Sequence, residues 1–388
     1  MSKNGFYIDN FFIKNRIALA PMAGISDVPY RQVHLEHGVG YAVSEMVLAN
    51  EQFLKQGHSL EHLNFQEYKE SDFQKYLVPR SLQILGHSPD DMATLTKLIV
   101  KHNLADIIDI NMGCPAKKVV KKAAGSALMA DPKLVKDILQ SVIKAAGSTP
   151  VTLKMRTGVD SEHRNALELA LMAQDLGIKA ITLHGRTRKD LFKGHAEYQT
   201  IKELKQELEI PVIANGDIDS VEKLLYVKDI TNADAFMVGR ASQGDPWLIA
   251  KLVAIDEGKK YYVPTKKEKF CITVQHLLNI QKSYQEIIGV KIARKHFIWY
   301  LEKIFPEVYY KKTYNNLEEQ IENNFLIPTN LSHKKIIKEL IIENTANEIF
   351  DKQEIETWKS TFIKLNSYRE QEVFLLNCIE FLNKKNIP

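Results

Sequence analysis

The chain has 388 residues, which at roughly 100–200 residues per domain suggests two or three domains, or one large barrel plus an appendage. It is 45% hydrophobic and 26% charged with a net charge of +4, which excludes wholesale disorder, collagen-like repeats and a disulfide scaffold. No apolar run approaches the ~18–20 residues of a membrane span, and the N-terminal stretch MSKNGFYIDNFFIKNR carries no signal-peptide pattern. The cysteines Cys114, Cys271 and Cys378 form no CxxC or Cys/His cluster, so a reduced, cytoplasmic protein without a structural metal is expected.

Eight short apolar runs follow one another through residues 1–250: IALA (17–20), YAVS (41–44), SLQIL (81–85), IIDIN (107–111), VTLKM (151–155), AITLH (180–184), PVIAN (211–215) and AFMVG (235–239). Their near-continuous apolar character predicts strands buried on both faces. Helix signals lie between them. Ser88-Pro89 opens one helix, and Gly177 closes another that begins near Ser161. Asp131-Pro132 starts a third, with Leu134, Val135, Ile138, Leu139, Val142 and Ile143 on one face and Gly147 at its end. Eight strand–helix units in this length predict an α/β chain with a (β/α)8 TIM barrel. Strand count alone leaves an open doubly wound sheet as the alternative.

After residue 250 the texture becomes helical, predicting a smaller all-α domain over 251–388. Phe270, Val274, Leu277, Leu278 and Tyr284 mark one helix, and Ile292, Phe297, Trp299 and Leu301 the next. Further helices read near 333–350 and 353–385, with a polar connection at 323–330. Charge is uneven. Residues 1–250 hold 30 basic and 30 acidic side chains, residues 251–312 hold 13 and 6, and residues 313–388 hold 9 and 12. The basic stretch is the footprint of a polyanion, or a solvated helical surface.

Barrel chemistry sits at the C-terminal ends of the strands. There the sequence offers Pro21-Met22-Ala23-Gly24, Glu45, Gln83, Asn111-Met112-Gly113-Cys114-Pro115, Lys154 with Arg156, His184 with Arg186, Asn215-Gly216-Asp217 and Gly239-Arg240. The last two groups supply glycines, N–H donors and an arginine suited to a phosphate, or are two tight turns. Lys154 reads as a Schiff-base lysine, as a fixed positive charge beside a cofactor, or as a salt-bridged residue. His184, followed by Arg186 and Arg188, favours an anionic contact over a structural role; no metal-ligand spacing surrounds it. Cys114 lies in a Gly-Cys-Pro turn that holds a thiol at the rim, where it is a proton donor or a small buried hydrophobe. There is no GxGxxG and no P-loop.

Taken together, APMAGISDVPYR (20–31), SEM (44–46), DINMGCPAKKV (109–119), GSALM (125–129), VTLKMRTG (151–158), TLHGRTR (182–188), PVIANGDI (211–218) and MVGRASQGDPW (237–247) resemble the motif series of tRNA-dihydrouridine synthases. MGCPAKKV, EHRN (162–165) and IARKH (292–296) are most similar to the bacterial B-type. The resemblance runs from about residue 5 to 300. It implies an FMN-bearing barrel and a helical tRNA-binding domain, with NADPH as reductant of the flavin and uridine in tRNA as substrate. By motif, Pro21, Met22, Ala23, Gln83, Lys154 and His184 would contact the flavin. Asn215, Gly216, Asp217, Gly239 and Arg240 would hold its phosphate. Cys114 would be the proton donor, and Asn111 and Arg156 would face the uracil. Lys291, Arg294 and Lys295, on one helical face with Trp299 a turn beyond, are expected to meet tRNA phosphates.

Two departures accompany the resemblance. Val120 stands where the B-type pattern usually has asparagine, and residues 310–357 read as an insertion in the helical domain. The B-type resemblance points to position 17 of the D-loop. A monomer is expected, with no membrane and no structural metal. The rival readings are a flavin barrel reducing a free small molecule, a Schiff-base aldolase using Lys154, and a tRNA-binding protein with a relic flavin site.

Overall fold

The computed structural model describes residues 4–49, 77–309, 331–342 and 351–384. The chain divides into two compact units, Met1–Gly239 and Arg240–Pro388. The first opens with an antiparallel hairpin, β1 (Phe6–Ile8) and β2 (Phe11–Ile13), reversed at Asp9 with φ +53°. Three-residue arms are too short for a periodicity to show, and the hairpin was not expected from the sequence. Its Phe6, Ile8 and Ile13 share a buried cluster with Ile107, Ala180, Ile213 and Ala235, which lie where barrel strands begin. The hairpin therefore plugs the N-terminal end of the barrel.

The barrel strands are β3 (Ile17–Leu19), β4 (Tyr41–Leu48), β5 (Ser81–Leu85), β6 (Ile107–Met112), β7 (Val151–Arg156), β8 (Ile181–His184), β9 (Val212–Asn215) and β10 (Ala235–Val238). Each pairs in parallel with the next, and β10 returns to β3 with Phe236 opposite Ile17. Closure decides for the (β/α)8 barrel over the open sheet. β4 runs four residues past its expected end, and its pairing with β5 slips between Val43 and Met46.

Two of the helix starts act as read. The Ser88 side chain accepts from Asp91 N at the start of Pro89–Lys101, and Asp131 accepts from Leu134 N at the start of Pro132–Ala146. The latter helix buries Val135, Ile138, Leu139 and Val142, each contributing about 1.5–3 kcal/mol. The helix expected from near Ser161 starts at Ala166 instead. Asp160 Oδ1 accepts from Glu162 N (3.1 Å) and His163 N (3.0 Å), which holds the intervening residues in a turn.

The second unit is mostly helical: Pro246–Asp256, Lys266–Ser283, Glu286–Ile304, Pro306–Tyr309, Leu331–Leu340, Lys352–Phe362 and Tyr368–Lys384. Its core gathers Trp247, Phe270, Phe297, Phe305, Trp358, Phe362 and Leu375. Trp247 draws Pro246–Asp256 into this core, which places the unit boundary before residue 250. Two short strands, β11 (Tyr261–Tyr262) and β12 (Ile341–Ile342), pair in parallel within it. Of the stretch read as an insertion, 310–330 and 343–350 lie outside the described residues, as does the connection at 323–330. Among the described residues, no helix is long and apolar enough to cross a membrane.

Candidate active site

β6 delivers the sharpest feature of the rim. After Asn111 and Met112 the chain turns through Gly113, Cys114 and Pro115, and Asn111 holds the turn from inside. Its Oδ1 accepts hydrogen bonds from Gly113 N (3.0 Å) and Cys114 N (2.9 Å). Its Nδ2 donates to Gln83 Oε1 (2.6 Å), and Gln83 Nε2 donates to Asp109 Oδ2 (2.6 Å). Thr152 Oγ1 donates to the other Asp109 oxygen (2.7 Å). Burial raises the Asp109 pKa, against the donors Thr152 and Gln83. A chain of buried polar groups thus runs from Asp109 to the amide of Cys114.

The turn is pinned from outside as well. Ser126 donates to Cys114 O from both N (3.1 Å) and Oγ (2.9 Å). Gly125 has φ +61°, and a Cβ there would lie 2.8 Å from Cys114 O, so the close return of the chain requires glycine. Cys114 itself is half-buried.

Lys154 and Arg156 alternate along β7 and therefore project to the same side. Lys154, opposite Asn111 in the strand register, donates from Nζ to Asn215 Oδ1 (2.9 Å). Asn215 Nδ2 in turn donates to Met237 O (2.8 Å). Burial and then the Arg156 charge pull the Lys154 pKa down to about 8, against Asp109 and Cys114. Arg156 is fully buried. Its Nε donates to Gly113 O (2.8 Å), and its Nη1 to Thr187 O (2.9 Å) and Leu191 O (2.8 Å). Its guanidinium carbon lies 5.4 Å from the centre of the Phe192 ring. Arg156 ties the cysteine turn to the loop after β8.

His184 ends β8, buried, with Arg186 Nη1 3.4 Å from its Nε2. Arg186 meets an anion of this chain itself, forming a two-pronged pair with Asp217 at 2.9 and 2.7 Å. Asp217 Oδ2 also accepts from Ala196 N (2.8 Å). Gly216 has φ +125°, and a Cβ there would lie 2.6 Å from Ala196 Cβ and 3.0 Å from His184 Cδ2. Tyr198 fixes the same turn by donating to Gly216 O (2.8 Å). After β10, a Cβ on Gly239 would meet nothing nearer than Ala20 Cβ at 3.8 Å and Met22 Sδ at 4.0 Å. Arg240 is exposed and opens the short turn Arg240–Ser242.

In the loop after β3, Pro21 and Met22 are half-buried and Ala23 is exposed. Ser26 Oγ accepts from Met22 N (3.0 Å) and donates to Ala20 O (2.9 Å). From β4, Glu45 Oε1 accepts from Gly24 N and Ile25 N. Burial, then the nearby Asp27, raise the Glu45 pKa.

Hydrogen bonds connect Gln83, Asn111 and Cys114 in one network and Lys154 with Asn215 in another, on neighbouring strand ends. Lys291, Arg294 and Lys295 lie on the helix Glu286–Ile304 of the second unit. Lys291 is exposed. Arg294 Nη2 donates to Leu365 O (2.6 Å) and Asn366 Oδ1 (2.8 Å), and Lys295 Nζ sits 5.5 Å from the centre of the Trp299 ring. Val120 is half-buried at the end of the short helix Lys117–Val120. Sequence reasoning missed Asp109, whose signal was a charge inside the apolar run IIDIN, and the supporting parts of Gly125 and Ser126. Among the described residues no three His, Cys, Asp or Glu side chains group as metal ligands.

The model of the family "Dihydrouridine synthase (Dus)" matches residues 18–340. The chain belongs to the dihydrouridine synthase family. It is 45% identical over 316 residues to the tRNA-dihydrouridine synthase B of Pasteurella multocida, covering 81% of this chain and 92% of that one. It is 43% identical over 321 residues to the protein of the same name from Shewanella oneidensis (82% and 96% covered), and 44% over 312 residues to that of Vibrio cholerae (80% and 94%). Among solved structures it resembles 2-naphthoyl-CoA reductase in complex with 2-naphthoyl-CoA, with TM-score 0.50 and 13% identity over 65% of this chain and 52% of that one. That likeness is one of fold. In this dihydrouridine synthase the motif residues that the sequence set at strand ends, from Pro21 to Gly239, lie at the ends of the strands of one closed barrel.

Proposed function

We propose that this chain reduces a uridine of tRNA, at position 17 of the D-loop, to 5,6-dihydrouridine, with FMN as bound cofactor and NADPH as reductant. Dihydrouridine synthases are flavin-dependent oxidoreductases that draw on NADPH. The observation that carries the reading is the register of β6 and β7. It sets Asn111, which holds the Cys114 turn, directly opposite Lys154.

The rim fits a flavin. The Lys154 ammonium is half-buried and its hydrogen-bond partner is a neutral amide oxygen, an arrangement suited to an electron-rich ring edge. Gln83 and His184 supply polar contacts, with Pro21, Met22 and Ala23 along the adjoining loop. Asn215, Gly216, Gly239 and Arg240 would hold the phosphate. Asp217 belongs to that set through its main-chain N–H, because its carboxylate is occupied by Arg186.

A flavin held there would supply the hydride chemistry for C6 of the uracil. The Cys114 thiol would give its proton to C5 as general acid, matching the charge that hydride addition places at C5 and on the C4 carbonyl. Asn111 fixes the cysteine main chain and so the side from which the proton arrives. Arg156 holds Gly113 O and borders the uracil pocket beside Phe192. The target base must leave its stack to enter such a pocket. In the second unit, Lys291 and Lys295, with Arg294 between them, offer charge to the tRNA backbone.

Incubation of the purified protein with NADPH and dihydrouridine-free tRNA tests the reading, with mass-spectrometric mapping and Cys114→Ala in parallel. A yellow protein that forms dihydrouridine at one position, with the variant strongly impaired, is expected. A yellow protein that oxidises NADPH and leaves every tRNA unaltered overturns the reading in favour of a small-molecule reductase.

A further inference from the structure

From Met112 to Ala130 the chain holds four lysines, Lys117, Lys118, Lys121 and Lys122, and no acidic residue. All four are exposed. None has an ion-pair partner among the described residues. The first 250 residues as a whole are balanced in charge, so this is a local excess of one sign. Its position is set by the cysteine turn at both ends. The lysines start three residues after Cys114, on the helix Lys117–Val120 and the turn that follows. Val119 N and Val120 N donate to Ala116 O at 2.9 and 3.0 Å, and Ala124 N returns to Val119 O at 3.3 Å. Ala123, with φ +52°, reverses the chain. Gly125 and Ser126 then bring it back against Cys114 O.

Four like charges on one small loop repel one another, and no acidic residue of the loop offsets them. Their placement is explained by a partner carrying several negative charges close together. We propose that the loop 116–124 is an RNA-backbone clamp of the barrel unit. In it Lys117, Lys118, Lys121 and Lys122 meet the phosphates that flank the base presented to Cys114. The proposal rests on the tRNA reading above and deepens it. A single phosphate, such as one on NADPH, is held by donors converging on one point. Here the ammonium groups are spread over a helix and the turn beyond it, as suits a strand with one charge per nucleotide. Contacts of this kind are independent of sequence and fall away with salt.

The test uses the full-length flavoprotein and dihydrouridine-free tRNA, with affinity measured from about 50 to 200 mM salt. Wild type is compared with Lys117→Gln/Lys118→Gln, Lys121→Gln/Lys122→Gln and the arginine versions of both pairs. Each glutamine pair is expected to weaken binding roughly tenfold and to lower the log–log salt slope by about 1–2, since each phosphate contact carries a slope near ~0.7–0.9. The arginine pairs are expected to restore both. Unchanged affinity and slope in the glutamine pairs overturn the clamp. So does a raised KM for NADPH with tRNA affinity intact, which assigns the charges to the reductant. Failure of the underlying reading is distinct, because the wild-type protein then neither binds nor modifies tRNA.

Discussion

Asn111 reads the backbone of Cys114: one amide oxygen accepts from Cys114 N at 2.9 Å and from Gly113 N at 3.0 Å, while the amide nitrogen is committed to Gln83. A residue that the resemblance sets against the substrate is therefore also the internal brace of the cysteine turn. Asn111→Ala deletes the acceptor for two N–H groups and leaves Gln83 Oε1 without its donor. The expected loss is about 1–3 kcal/mol of stability. Dihydrouridine formation is expected to drop by at least tenfold in a single-turnover assay with flavin already reduced. A full rate in that assay would free Cys114 from this brace.

Lys154 titrates near pH 8, below the 10.5 of an unburdened lysine. Between these values the folded chain holds fewer protons than the unfolded one, so this group makes stability rise with pH across that window. Its charge, however, is lost as pH rises through about 8. FMN affinity of the apoprotein is expected to fall over the same interval. In Lys154→Arg, which stays charged, the affinity should be level to pH 10. Superimposable titrations of the two proteins would remove Lys154 from flavin binding.

Gly125→Ala places a Cβ 2.8 Å from Cys114 O at φ +61°. Backbone in that region costs about 1–3 kcal/mol. Because Ser126 follows directly, the strain acts on the two hydrogen bonds to Cys114 O. A lower urea midpoint is expected, with dihydrouridine formation falling further than flavin content does. Equal losses in both would mean that the substitution only unfolds the barrel.

Asp217→Asn leaves the Arg186 guanidinium buried without its anion, with one amide oxygen in place of the two carboxylate acceptors. Arg186 is 2% exposed in its side chain and Asp217 17%, so the pair is well screened from water. Breaking such a pair by removing one partner costs about 3–5 kcal/mol. A fall in the urea midpoint at constant m would carry that sign. Arg186 also donates from Nε to Lys193 O (3.1 Å) and from Nη2 to Gly194 O (2.7 Å), and retained stability would show that these carbonyls suffice for it.

The barrel was legible because each β-run is apolar on both faces and is followed by a polar or glycine-bearing end, as in Asn111 to Pro115 or Asn215 to Asp217. Cys114 and Lys154 were legible as rim residues for the same reason. What the residues do to each other was not. Arg186 suggested an external anion and found Asp217. Asn215, expected at a phosphate, receives Lys154. Arg186 and Asp217 follow the neighbouring strands β8 and β9, and Lys154 reaches past β8 from β7 to β9; strand order alone cannot say which side chains meet along a closed rim. The hairpin plug escaped notice because its arms hold three residues each, and β11 with β12 because each holds two.

The seam between β10 and β3 joins Phe236 to Ile17, the two ends of the first unit. A ribosome must therefore deliver nearly the whole unit before the barrel can close. Until then β3 and the newest strand both present bare backbone, open to pairing with any neighbouring chain. The hairpin Phe6–Ile13 packs against residues from Ala18 to Ala235, so its whole packing surface exists only once the last strand is in place. Birth of this protein is the interval in which it is most exposed to aggregation, and that hazard ends with a single pairing.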